Sequence, residues 1–258
     1  MKCFKTIWAI FIVYIAIILF SCTKPAADAD KSQIDIFYAK AQAFFEQKQI
    51  DSTEIYLNKC LAVNRQYAPA NYLLGKVYLY KDGIINRRLS SQSLRNAINA
   101  DDDNSEYRYS LGITYEKQGF YENALSEFQR AVKIDSTDSR SYAKIAELCK
   151  RFGLRYDDDK YFTRSLIAAQ KAAIFSNDPT QYYQQAVVLY EMGKFDSSEM
   201  AAKQCINRGA DSAFTANSYL LIGTDLVREN KFDSAYAAFE QGRKFLSQIA
   251  RDEMDDIR

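Results

Sequence analysis

Eighteen small residues recur along the chain in three interlocked series, and this recurrence constrains the fold more than any other feature of the sequence. The first series is Ala41, Gly75, Gly112, Ala146, Ala186 and Gly223, at spacings of 34, 37, 34, 40 and 37 residues. The second is Cys60, Ala97, Ala131, Ala172, Cys205 and Gly242, and it follows the first by 19, 22, 19, 26, 19 and 19 residues. A third series lies seven residues before the second: Thr53, Ser90, Ala124, Ser165, Ser198 and Ala235. Seven residues is about two helical turns, so the second and third series share one helix face. Helices that cross closely need small side chains at the contact, because the distance between axes depends on side-chain size there. Only nine residues of 258 are Gly and three are Pro, yet several of those Gly fall inside helical periodicity. Each costs roughly 1 kcal/mol against Ala in a helix, so close packing has to make up the loss. The pattern predicts a chain of stacked two-helix hairpins.

The stretch 105–138 shows the unit most clearly. Leu111-Gly112 is followed by Tyr115, Gly119, Tyr121, Ala124, Phe128 and Ala131. This resembles the tetratricopeptide repeat almost residue for residue. Six such units are read: 34–67, 68–104, 105–138, 139–178, 179–215 and 216–249. Units two, four and five carry extra residues near Asp82–Arg88, near Arg155–Lys160 and around Gly209. The consensus tryptophan is absent, and Phe37, Tyr142, Tyr182 and Tyr219 fill its place in four units. The resemblance implies an all-α, right-handed solenoid of about twelve helices, in which stacking buries the apolar face that each unit leaves open. The polar stretch toward the C-terminus, with 250–258 as a tail, is expected to solvate the last unit.

Local signals place the helix ends. Asp51-Ser-Thr-Glu54 and Asp196-Ser-Ser-Glu199 read as capping boxes opening second helices. Asp157-Asp-Asp159 sets negative charge before the second helix of unit four, where the helix dipole favours it. Pro69 and Pro179 suit helix starts, where a missing N–H costs little.

The N-terminus is of a different kind. Lys2 and Lys5 precede an apolar run from Ile7 to Phe20, which is short for a bilayer span. Residues 1–21 therefore read as a secretory signal peptide. Leu19-Phe20-Ser21-Cys22 resembles a bacterial lipobox, which implies a diacylated Cys22 and a palmitate-type anchor. Retained as an anchor helix, the same segment would also tie the chain to a membrane. Several acyl chains hold stably where one does not, at about 0.8 kcal/mol per buried methylene. Residues 23–33 have no apolar periodicity and read as a tether, which at eleven residues reaches at most about 40 Å. These features predict a lipid-anchored envelope protein, expected on the outer membrane and facing the periplasm.

Composition excludes several functions. The chain has no His, which removes histidine triads, histidine metal sites and imidazole bases. With 34 Lys+Arg against 33 Asp+Glu, there is no electrostatic case for nucleic acid. Cys60, Cys149 and Cys205 form no CxxC pair and read as buried small hydrophobes, so neither a metal nor a cofactor is expected. Asp101-Asp-Asp-Asn-Ser-Glu106 lacks the central Gly and distal Glu of a calcium loop, and reads as turn and N-cap chemistry. No nucleophile elbow or phosphate loop is present, so no enzymatic activity is expected.

Binding is what the sequence does suggest. Tetratricopeptide arrays bind peptides or helices in a groove lined by their first helices. The resemblance places Tyr38, Tyr72, Tyr109 and Tyr183 in one groove-facing slot, with Tyr80 and Tyr190 further along the same helices and Lys76 and Lys144 adding charge. Tyrosine supplies large contact area and a hydroxyl at low entropic cost. The same rings could instead pack between neighbouring helices. A chaperone-type carboxylate clamp is not supported, because Tyr38 and Gln42, then Tyr72 and Lys76, stand where its Lys and Asn would be. The expected role is a scaffold that binds a protein partner in an envelope complex. The alternatives are a glycan-binding lipoprotein of a polysaccharide-uptake system, or an adaptor for a periplasmic hydrolase or protease.

Overall fold

The computed structural model describes residues 30–255, with side chains over 30–247. The signal segment, Cys22 and the start of the tether lie outside the described residues, as does the end of the C-terminal tail. Twelve α-helices and no strands make up the described residues. Helix α1 covers 30–46. It is followed by α2 (Ile50–Val63), α3 (Ala68–Lys81), α4 (Ile84–Ala100), α5 (Ser105–Gln118), α6 (Tyr121–Ile134) and α7 (Ser139–Tyr156). The last five are α8 (Asp159–Phe175), α9 (Thr180–Glu191), α10 (Phe195–Asn207), α11 (Ser212–Arg228) and α12 (Phe232–Asp255). No helix among the described residues is long and apolar enough to cross a membrane.

The chain divides into two compact units, one ending at Gln118 and the other beginning at Gly119. In the first unit α2 packs on α3, α3 on α4 and α4 on α5, while α3 also touches α5. Its core gathers Ile34, Ala41, Leu57, Cys60, Ala70, Leu73, Leu74 and Val77. In the second unit each helix from α6 to α12 packs on the next, and α9 touches both α7 and α11. All eighteen small residues of the three series are buried. Glycines mark the tightest crossings: a Cβ on Gly75 would lie 2.6 Å from Leu94 Cγ, and one on Gly223 would lie 2.5 Å from the Phe239 ring.

Most hairpin turns are closed by the backbone. At Lys48 and Gly193 the chain takes positive φ of 58° and 70°. Gln49 N then donates to Phe44 O and Lys194 N to Leu189 O, both at 2.9 Å. These are Schellman closures. They correct the expected capping boxes: α2 and α10 begin at Ile50 and Phe195, and Gln49 and Lys194 give no side-chain cap. Asp51 and Asp196 fall instead within the first helical turns. Turns between hairpins rely on side chains. Asp138 accepts from Arg140 N and Ser141 N before α7, and Asp211 from Phe214 N before α11; inside the α7–α8 hairpin Asp158 likewise accepts from Lys160 N. Asn104 Oδ1 accepts from Glu106 N and Tyr107 N, so the acidic stretch before α5 serves as a turn and cap.

The extra residues near 82–88 lengthen a helix instead of forming a long loop. Asp82 and Gly83 turn through positive φ, and α4 then runs 17 residues with Ile84 and Ile85 exposed on its first turn. Arg87 holds this turn through Asp82 at 2.7 Å and the carbonyl of Lys117 at 2.9 Å. The residues near 155–160 likewise close an 18-residue α7 and open a 17-residue α8.

Candidate protein-binding face

In the first unit, Tyr38 of α1, Tyr72 of α3 and Tyr109 of α5 are all half-buried, whereas Tyr80, two turns along α3 from Tyr72, is 62% exposed. Residues of neighbouring elements hold the Tyr72 and Tyr38 rings. The Tyr72 ring lies 4.9 Å from that of Tyr107, and its hydroxyl donates to Glu106 Oε1 at 2.9 Å. Lys76 Nζ sits 5.4 Å from the Tyr72 ring and 5.5 Å from the Phe45 ring, so one ammonium bridges two aromatic faces. Tyr38 meets the edge of Tyr67 at 5.5 Å. Burial, with the neighbouring Tyr67, Tyr107 and Cys60, pushes the Tyr38 hydroxyl up to about 12. The result is a cluster of rings, Tyr38, Tyr67, Tyr72 and Tyr107, with the Tyr72 hydroxyl bound to Glu106 and the Lys76 ammonium beside them. Such a surface suits apolar side chains and polar backbone together.

The second unit carries a sparser version. Lys144 on α7 is half-buried and pairs with Glu147 at 3.1 Å. Tyr183 on α9 meets Phe214 edge-on at 5.5 Å, and burial raises its pKa. Tyr190 lies 5.7 Å from Phe195, and Arg228 Nη2 reaches its hydroxyl at 3.4 Å. Elsewhere in this unit a cleft of about 580 Å³ opens between α10, α11 and α12, with Ile206, Tyr219, Ile222 and Leu226 among its apolar walls and Lys203 and Lys231 at its edge.

Of the eight residues picked out in the sequence, Tyr72 and Lys76 are in direct contact. That pair is held by Phe45, Glu106 and Tyr107, while Tyr38 is held by Tyr67, Lys144 by Glu147, Tyr183 by Phe214 and Tyr190 by Phe195 and Arg228, none of which the small-residue pattern flagged. Aromatic or charged residues one or two helices along from Tyr72, Tyr183 and Tyr190 were the available signal. The three cysteines are free and fully buried. Burial first, then Asp35, pushes the Cys60 thiol up to about 11, and burial also raises Cys149 and Cys205. A raised thiol is a poor nucleophile, and these side chains act as small apolar groups. No cluster of three or more metal-ligating side chains occurs among the described residues.

Residues 105–138 match the family model of the tetratricopeptide repeat. The chain is similar to pilF of Pseudomonas aeruginosa, at 16% identity and a TM-score of 0.63 over 89% of this chain and 100% of that one. It is also similar to YrrB, a TPR protein with an unusual peptide-binding site, at 17% identity and a TM-score of 0.56 over 67% and 84%. A third likeness is to PilW, a widely conserved type IV pilus biogenesis factor, at 14% identity and a TM-score of 0.60 over 81% and 91%. The fold is the tetratricopeptide-repeat fold. What is shared at these identities is the arrangement of helices. No curated protein sequence matches the chain.

Proposed function

We propose that the chain is a non-enzymatic scaffold of a bacterial envelope, lipid-anchored through Cys22 on the outer membrane and facing the periplasm. It would hold a peptide or helix of a protein partner against its tyrosine-bearing first helices, during assembly of an envelope complex. The observation that carries this reading is the ordered pair Tyr72–Lys76, fixed by Glu106, Tyr107 and Phe45, with Tyr38 and Tyr109 half-buried on the neighbouring first helices. Support comes from similar folds, since YrrB is described with a peptide-binding site and PilW as a pilus biogenesis factor. Rings at the centre of an interface carry much of its binding energy, about 2 kcal/mol or more each where they act as hot spots.

Crosslinked pull-down from membranes tests the proposal, comparing wild type with Tyr72→Ala/Tyr109→Ala. The expected result is loss of the captured partner, with a roughly 30-fold or greater drop in affinity once the partner is in hand. An unchanged partner set overturns the binding face. In the same cells labelled palmitate is expected on wild type and absent from Cys22→Ser, and equal labelling of the two would overturn the lipid anchor.

A further inference from the structure

The seam between α10 and α11 buries a carboxyl group in a place built for a neutral side chain. Asp225 is completely buried, and neither of its carboxylate oxygens has a hydrogen-bond partner. It lies two residues after Gly223. The residues at the same offset from Gly75, Gly112, Ala146 and Ala186 are Val77, Thr114, Leu148 and Val188, none of them more than 1% exposed. Apolar groups or a hydroxyl fill the slot elsewhere.

The surroundings offer a negative charge little help. Ser198 of α10 lies close enough to pull the carboxyl down somewhat, yet its Oγ makes no well-aligned hydrogen bond. The charges that reach Asp225 are those of Glu199 on α10 and Glu229 just past α11, both acidic. Each has its own cation, Lys203 for Glu199 and Lys231 for Glu229. From α9 and α12, which also pack on α11, come Ala186, Ala235 and Ala238 of the local apolar cluster, and no charge from those helices acts on the carboxyl. The open cleft beside α10, α11 and α12 reaches Ile222 and Leu226, on either side of Asp225 in the chain.

We propose that Asp225 is a proton-operated latch, which holds the α11–α12 hairpin tightly against α10 when it is protonated and loosens that seam when it is charged. Burial, reinforced by Glu199 and Glu229, raises its pKa to about 6. An acid whose pKa is raised by folding favours the folded seam at low pH. That advantage is complete below the unfolded value near 4 and is lost as the pH climbs through about 6.

The test is hydrogen exchange on the full chain in detergent micelles at pH 5 and pH 7.5, corrected for intrinsic exchange. Opening of the α10 and α11 amides in wild type is expected to rise about tenfold between the two conditions. In Asp225→Asn, and in Asp225→Val, which installs the residue found at 77 and 188, opening is expected to be flat with pH and lower than wild type at pH 7.5. A wild-type profile parallel to that of Asp225→Asn, or greater opening at pH 5, overturns the latch. Failure of both variants to fold overturns it as well, because the seam is proposed to prefer a neutral group.

Discussion

The α4–α5 seam of the first unit and the α10–α11 seam of the second occupy matching places in their hairpins and differ in how they treat a buried polar pair. In the first, Ser90 and Thr114 are both fully buried, and their hydroxyls lie 3.1 Å apart. Thr114 donates onward to Ser110 O at 2.9 Å, so Ser90 is the donor to Thr114 and the chain of bonds is closed. In the second, Ser198 stands for Ser90 and Asp225 for Thr114, and no hydrogen bond satisfies either. A hydroxyl both donates and accepts, so two of them meet each other's needs in a dry seam. A carboxylate only accepts, and it gains a donor of its own only by taking a proton. The same backbone plan therefore gives a pH-indifferent joint in one unit and a pH-sensitive one in the other.

The largest expected effect comes from moving the carboxyl. Thr114→Asp sets a carboxylate against Ser90 and removes the bond to Ser110 O. A shift of about two pKa units is worth about 2.7 kcal/mol, and the lost hydrogen bond adds about 1 more. Urea unfolding at pH 7.5 is expected to show a loss of roughly 3–4 kcal/mol, of which about 1.4 kcal/mol is recovered at pH 5. A loss under about 1 kcal/mol at pH 7.5 would mean that this seam tolerates charge and that the contrast lies elsewhere.

Next in size is the crossing of the helices themselves. Gly75 faces Leu94, which is fully buried, whereas Gly223 faces the half-buried ring of Phe239. An added methyl meets either neighbour well inside contact distance, and overpacking costs about 1–3 kcal/mol against a helix-propensity gain of about 1. Leu94 has no room to retreat, whereas Phe239 has solvent beside it. Gly75→Ala is therefore expected to lose about 2 kcal/mol and Gly223→Ala about 1 or less, measured by the same unfolding curves. Equal losses would show that exposure of the partner does not decide the cost.

These crossings were legible in the sequence because close approach leaves a chemical trace, a small residue at a fixed interval. The helical hairpins followed from that trace, as did the burial of Cys60 and Cys205. The capping boxes at Asp51 and Asp196 were misplaced for a physical reason. Backbone bonds at Lys48 and Gly193 close those turns, and a Schellman closure needs only one residue at positive φ, here a Lys in one case, which composition does not announce. The tyrosines stood out by their spacing, but their holders did not, because Glu106, Tyr107 and Phe214 come from the next hairpin along. Asp225 was visible as the one charged residue in its column, and it is found only by comparing residues two positions beyond each small one.

The finest test leaves Asp225 and Thr114 in place and removes the serine opposite each. Ser90→Ala takes a donor from Thr114, whose bond to Ser110 O survives, so the expected loss is about 1 kcal/mol and the same at pH 5 and pH 7.5. Ser198→Ala removes a buried hydroxyl that has no bond of its own, so at pH 5, with Asp225 mostly neutral, the change is expected to stay within about 0.5 kcal/mol. At pH 7.5 the same substitution deprives a charged Asp225 of its one helpful polar neighbour, and a further loss is expected there. Urea unfolding of both variants at both pH values separates the cases. If Ser198→Ala also costs about 1 kcal/mol irrespective of pH, the two seams are chemically alike, and what distinguishes Asp225 is its burial rather than its missing partner.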